Sequence, residues 1–106
     1  LSLTEQFDKF DLLISPTMPV APYQCGKPTR QVDGYDVDGS WNCLQFTYPI
    51  NSSGHPAASI PAGLNSDGLP IGLHIIGKFG DEETIIKASA AFEKMKPWNH
   101  VRPPVS

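Results

Sequence analysis

Gly63-Leu-Asn-Ser-Asp-Gly-Leu-Pro-Ile-Gly-Leu-His-Ile-Ile-Gly77 is the stretch in which the fold is decided. Asp67-Gly68 stands between two runs of strand character, the small-residue run Ala57–Ala62 and the apolar run Pro70–Gly77. An Asp-Gly pair in that setting is a strong local turn signal, so a β-hairpin is predicted. With a side-chain period of two, Ile71, Leu73 and Ile75 share one face of the second strand, while Gly72, His74 and Ile76 share the other. A bare glycine on a strand marks a place where another group approaches the backbone closely.

Working outward from the hairpin, the clearest helix begins at Asp81. This residue is a good N-cap, and Glu82 and Glu83 follow where the helix dipole favours acids. Ile85, Ala88, Phe92 and Met95 fall on one stripe at helical spacing, Glu83 and Lys87 form an i,i+4 pair, and Pro97 closes the helix. The tail Trp98–Pro104 is too proline-rich to be helical and is expected to lie across a surface through Trp98.

On the other side of the hairpin, Trp41–Asn51 has room for a short helical turn that Pro49 limits, and Pro16–Ser40 reads as a long loop. Phe10-Asp11-Leu12-Leu13-Ile14 is a nearly unbroken apolar run ending at Ser15-Pro16, which suits a strand buried on both faces. Ser2-Leu3-Thr4-Glu5 has capping-box spacing and predicts a short helix through Lys9. The fold class is α/β: a few mixed strands including one hairpin, packed with the helix Asp81–Met95.

At 106 residues the chain provides one small domain at most, and its 40% hydrophobic and 18% charged residues are ordinary for a folded protein. The net charge of −3 leaves no basic stripe for phosphates, which excludes nucleic acid as the expected partner. No apolar stretch approaches the roughly 20 residues of a membrane span, and Leu1 opens no signal pattern. Cys25 and Cys43 lack metal or redox spacing and read as two free thiols. His55, His74 and His100 form no pair at ligand spacing, so no metal is implied.

Several separated motifs agree in order and spacing. Ser15-Pro16-Thr17-Met18-Pro19 is followed by Phe46-Thr47-Tyr48-Pro49-Ile50-Asn51, then Gly54-His55-Pro56-Ala57-Ala58-Ser59-Ile60-Pro61-Ala62-Gly63, then Asp67-Gly68-Leu69-Pro70-Ile71-Gly72-Leu73. With Ile75-Ile76-Gly77 and the acidic start of the last helix, this series resembles the final portion of amidase-signature enzymes, over nearly the whole chain except Tyr23–Ser40. The resemblance implies that residues 1–106 are the C-terminal portion of an incomplete domain, part of the mixed sheet of that fold. Members hydrolyse amides through a Ser-Ser-Lys arrangement that lies earlier in their sequences. The chain is therefore expected to contain no catalytic residue and to be inactive alone, with no cofactor. Its substrate would be a small amide bound only together with the missing part.

Ser52-Ser53-Gly54 superficially resembles the family's nucleophile signature, yet it sits in the Asn-x-x-Gly-x-Pro segment, and a turn or cap role is expected. The six lysines read as solvated. His74 stands where relatives often carry Gln, and a hydrogen-bonded structural role is expected. The resemblance brings the segments around Thr17 and Trp41–Asn51 toward the cleft, so Thr17, Trp41, Thr47 and Asn51 are the substrate-pocket candidates, with backbone bracing as the competing role for Thr47 and Asn51.

Two other readings stand beside the amidase. A glutamine-using subunit of a tRNA amidotransferase shares the fold, but Leu44-Gln45 replaces an acidic residue expected there, and the Trp98–Pro104 ending favours plain amidases. A free-standing binding module would leave apolar faces and strand edges open and is expected to form a homo-oligomer or to be marginally stable. A cytoplasmic location is favoured but not fixed by the sequence.

Overall fold

The computed structural model describes residues 2–28, 30–36 and 42–105. The central hairpin is formed by β4 (Ala57–Leu64) and β5 (Pro70–Gly77), paired antiparallel from Ala57 opposite Ile76 to Leu64 opposite Pro70. A bulge between Pro61 and Gly63 interrupts the ladder. On its other edge β5 pairs antiparallel with β1 (Leu12–Pro16), from Leu12 opposite Gly77 to Pro16 opposite Leu73. The order β1-β5-β4 places the apolar β5 at the centre, with Pro70 as its first residue, and leaves Pro16 and Pro61 on the edge strands β1 and β4; first and edge positions are where a strand tolerates proline.

Helix α1 (Leu3–Phe7) opens on the expected capping box: the Ser2 amide donates to Glu5 Oε2 at 2.9 Å, and the Glu5 amide donates to Ser2 Oγ at 3.3 Å. Helix α2 (Tyr48–Ser53) carries Pro49 in its first turn. The expectation that Pro49 limits this segment is corrected, because a first-turn residue has no intrahelical acceptor for its N–H. Gly54 then ends α2 in the left-handed conformation, φ 74°. Phe7 of α1 and Ile50 of α2 close over Ile76, with Leu3 and Leu13 against them, and form the core on one face of the sheet.

Helix α3 (Glu82–Met95) lies on the opposite face. Asp81 Oδ1 accepts from the Thr84 amide at 3.2 Å and Oδ2 from the Thr84 hydroxyl at 2.7 Å. These bonds, the hydroxyl first, hold the Asp81 carboxyl below its ordinary pKa. Ile85 packs onto Gly77, where a Cβ would lie 2.9 Å from Ile85 Cγ1. The Glu83–Lys87 pair forms at 2.6 Å, but both side chains are solvated, so it adds little stability. Met95 is 83% exposed and does not belong to the buried stripe predicted for it. Beyond Lys96, which donates to the Ala62 carbonyl at 2.8 Å, the tail lies along the hairpin through Trp98, as expected.

Two further expectations change. The segment 16–40 is not all loop, since Gln31–Val32 (β2) and Tyr35–Asp36 (β3) form a small hairpin. Its turn residues Asp33 and Gly34 have φ of 50° and 78°, the left-handed pair that an Asp-Gly turn favours. Strand β1 is not covered on both faces: Leu13 packs into the core, whereas Ile14, pointing the other way, is 68% exposed. The radius of gyration is 15.5 Å and one extent is only 20 Å. A compact domain of about 100 residues has a radius near 13 Å, so the described chain is a thin, spread layer.

The hairpin turn is organised by Asn65, whose Oδ1 accepts from the Asp67 amide at 2.9 Å and from the Leu69 amide at 2.8 Å, while Gly68 takes φ 76°. Asn65→Ala is expected to cost about 1–3 kcal/mol in urea unfolding by leaving two amides without their acceptor. Asn65→Asp, which keeps the acceptor, should stay within about 0.5 kcal/mol of wild type. Equal losses in both variants would show that the side chain does not organise the turn.

Candidate functional site

The face of the sheet that carries the Phe7–Ile50–Ile76 core changes character along β5. Ile76 lies beneath the helices, and two residues back His74 stands between Ser15 of β1 and Ser59 of β4, its direct partners across the two ladders. Two residues further back Gly72 presents no side chain. Into that gap reach Thr17, just past the end of β1, and Ser59. A Cβ on Gly72 would lie 2.6 Å from Thr17 Oγ1 and 2.7 Å from Ser59 Oγ. The two hydroxyls share a 2.6 Å hydrogen bond across the glycine, and the Thr17 amide donates to the Gly72 carbonyl at 3.0 Å. The close approach expected at Gly72 is therefore made by Thr17 and Ser59.

His74 is 4% exposed, and its Nδ1 lies 3.4 Å from Ser15 Oγ. Burial removes water from the imidazolium and lowers the pKa from the ordinary value of 6.5, so the ring is neutral at pH 7. This agrees with the hydrogen-bonded structural role expected for His74. Beside Gly72 opens a groove of about 590 Å³ lined by Met18, Val20, Tyr23, Asn65 and Ile71. Its lining is mainly apolar and includes Gly72, over which the hydroxyl bridge passes, and Met18, next in the chain to Thr17; Thr17 and Ser59 themselves are not among its lining residues.

Of the other pocket candidates, Thr47 is the N-cap residue of α2. Its hydroxyl donates to the Leu44 carbonyl at 3.3 Å, which is a bracing role. Asn51 is an exposed residue of α2, on the same sheet face as the Thr17 bridge but above its apolar end. No hydrogen bond among the described residues joins Thr17 to Thr47 or Asn51, and Trp41 lies outside the described residues. Ser59 and Ser15 carry no site signal in the sequence itself. Their signal exists only as a register, two serines flanking His74, which needs the strand order before it can be read.

Ser53 and His55 form a close pair, Oγ to Nδ1 3.0 Å, that superficially has the form of a nucleophile and base. The proton directions are wrong for that. Ser53 Oγ donates its only proton to the Ile50 carbonyl at 2.7 Å and accepts the His55 amide at 3.3 Å. The imidazole must then donate from Nδ1, so it cannot take a proton from the serine. His55 is stacked on Phe7 with ring centroids 5.3 Å apart and meets Phe79 edge-on at 6.1 Å. Ser53 closes the helix, as expected of a cap. Lys78 pairs with Asp11 at 3.3 Å, Lys87 with Glu83, and Lys96 with a carbonyl. Cys25 and Cys43 are not joined in a disulfide, as read from the sequence; Cys25 is exposed and Cys43 buried. Among the described residues no cluster of three or more His, Cys, Asp or Glu could hold a metal, and no helix is long and apolar enough to cross a membrane.

The three-stranded sheet carries the motif series along β1, α2, β4 and β5 with helices on both faces, and along the same series the chain is similar to known proteins. A family model described as Amidase matches residues 2–86, and the chain belongs to the amidase family. It is 43% identical over 95 residues to a glutamyl-tRNA(Gln) amidotransferase subunit of Gluconobacter oxydans, covering 89% of this chain and 18% of that protein. The same subunit of Granulibacter bethesdensis is 44% identical over 96 residues, covering 91% of this chain and 18% of that one. Among solved structures, 6-aminohexanoate cyclic dimer hydrolase with its substrate superposes with a TM-score of 0.82 at 34% identity, over 95% of this chain and 22% of that one. The chain spans about a fifth of the length of these relatives.

The pH dependence of stability follows from His74. Above about pH 6.5 the ring is neutral in folded and unfolded chains alike, and the stabilisation is complete. Below it the unfolded chain binds the proton first, so stability falls as the pH drops through the lowered folded value. Thermal unfolding from about pH 8 to about pH 5 is expected to show this decline, and His74→Gln should flatten it over that window. An unchanged slope in the variant would place the titration elsewhere.

Proposed function

We propose that residues 1–106 are the C-terminal part of an amidase domain that hydrolyses carboxylic amides to acid and ammonia or amine. The Ser-Ser-Lys residues are supplied by sequence outside this chain. The observation that carries this reading is the match to the amidase family along residues 2–86, together with the superposition on an amide hydrolase over 95% of the chain. The exposed Ile14, the spread layer and the fifth of the relatives' length that is covered support a part of a larger domain. Within it Thr17, Trp41, Thr47 and Asn51 belong to the walls of the substrate cleft, Thr17 through its hydroxyl and Thr47 as a brace. Two cysteines that form no disulfide fit a reducing, cytoplasmic compartment.

A second reading has a specific observation in its favour. Identity of 43–44% to amidotransferase subunits exceeds the 34% to the hydrolase. In that reading the amide is glutamine and the ammonia passes onward within a complex. Leu44-Gln45, uncharged where an acidic residue is expected in that type, favours the hydrolase.

The test is intact-mass spectrometry of the natural protein together with assays on simple aliphatic and aromatic amides and on glutamine. A longer chain releasing ammonia or amine from simple amides is the expected result, while residues 1–106 produced alone turn over none of them. Turnover confined to glutamine would establish the second reading. A natural protein of 106 residues that is monomeric in gel filtration at all concentrations and inactive would replace both with a binding module.

A further inference from the structure

The Thr17–Ser59 bridge has features that a purely structural contact between a strand and its neighbour does not require. It joins residues 42 positions apart in sequence, at 2.6 Å, and it is solvent-facing rather than buried. It spans a glycine whose replacement by any larger residue would place a carbon within 2.7 Å of both hydroxyl oxygens. It also stands at the point where β1 leaves the sheet and the chain turns into Met18–Tyr23, the wall of the apolar groove. Two hydroxyls sharing one hydrogen bond always leave the acceptor's own proton undirected. The pair therefore keeps one O–H proton uncommitted, whichever oxygen donates across Gly72, the residue under the bridge that lines the groove.

We propose that Ser59 is a positioning residue: through its hydrogen bond over Gly72 it holds the Thr17 hydroxyl, and with it the Met18–Tyr23 wall, in place for the amide substrate. The inference rests on the reading of Thr17 as a cleft residue. It adds that the bridge supplies substrate binding rather than bond cleavage. With Ser59 donating to Thr17, the Thr17 proton is free to donate to a polar oxygen of a substrate whose apolar part lies along Met18, Val20 and Ile71. Neither hydroxyl has a base within the described residues, since Ser15, the residue next along this face, makes the only described hydrogen bond to the buried His74 ring.

The experiment uses the full-length enzyme carrying Ser59→Ala, Thr17→Val, the double variant and Ser59→Thr, with two readouts. Hydrogen exchange of the segment 17–23 reads the bridge without any turnover. Kinetics on an aromatic amide read the positioning. In Ser59→Ala, exchange of 17–23 is expected to speed up and KM to rise by about tenfold, with kcat within about twofold. Thr17→Val should do the same, the double variant should be no worse than either single one, and Ser59→Thr should restore KM. Unchanged exchange in Ser59→Ala overturns the proposal, because the bridge then holds nothing. Faster exchange with unchanged KM in an active enzyme also overturns it, leaving a structural contact and the amidase reading intact. An enzyme that turns over no amide overturns the amidase reading and this inference together, while the exchange result still reports separately on the bridge.

Discussion

Strand β5 is hydrogen-bonded along both edges, and every other part of the three-stranded sheet takes its position from that pairing. Because the ladders to β1 and β4 both fix the register at His74, the residues flanking β5 are sorted onto two faces without further choice. One face receives α1 and α2 over Ile76, and the other receives α3 over Gly77. A slip of one residue in the β1 ladder would turn Leu13 outward and bring Ile14 over the core, so the small Phe7–Ile50–Ile76 cluster is also what specifies the register.

The coverage of the sheet is uneven, and that unevenness has an energetic meaning. Ile75, Ile76 and Ile85 are nearly inaccessible, while Ile14, Ile86 and Phe79 are more than half exposed. Burying a side chain such as Ile14 is worth roughly 1.5–3 kcal/mol, a large fraction of the margin by which a small domain is stable. The exposed apolar residues and the open edges of β1 and β4 belong together as surface of the kind that a larger amidase domain would cover, and the share of the relatives' length spanned by this chain is consistent with that.

The polar end of the same sheet face shows how little of a site depends on residue type alone. Serine and histidine meet twice here. In the Ser53–His55 pair the serine proton is committed to a helix carbonyl, and the imidazole is held between two phenyl rings. Around Gly72 and His74 the hydroxyls bond one another and the ring is neutral through burial. Neither arrangement activates an oxygen, because activation needs a base oriented to accept the hydroxyl proton. What the Thr17–Ser59 pair retains is one uncommitted O–H proton above Gly72, a residue of the apolar groove's lining.

Much of the secondary structure is legible along the chain. The capping box at Ser2, the Asp81 cap, the Glu83–Lys87 pair and the Asp67-Gly68 turn each depend on residues within about four positions, so local chemistry suffices to read them. The β2–β3 hairpin has the same kind of signal in Asp33-Gly34, but its two-residue strands are too short to show a period. Pro49 misleads a linear reading because position within the first turn, not proline itself, decides its effect. The alternation along β5 also assigns Gly72 and His74 to one face. The partners they meet there are decided only in three dimensions. Ser15 and Ser59 flank His74, and Thr17 reaches Ser59 from 42 residues away, only because two antiparallel registers bring three distant strands to one level. No local pattern encodes such a register. It is set by the burial of Leu13, Ile76 and Ile50 at the other end of the sheet.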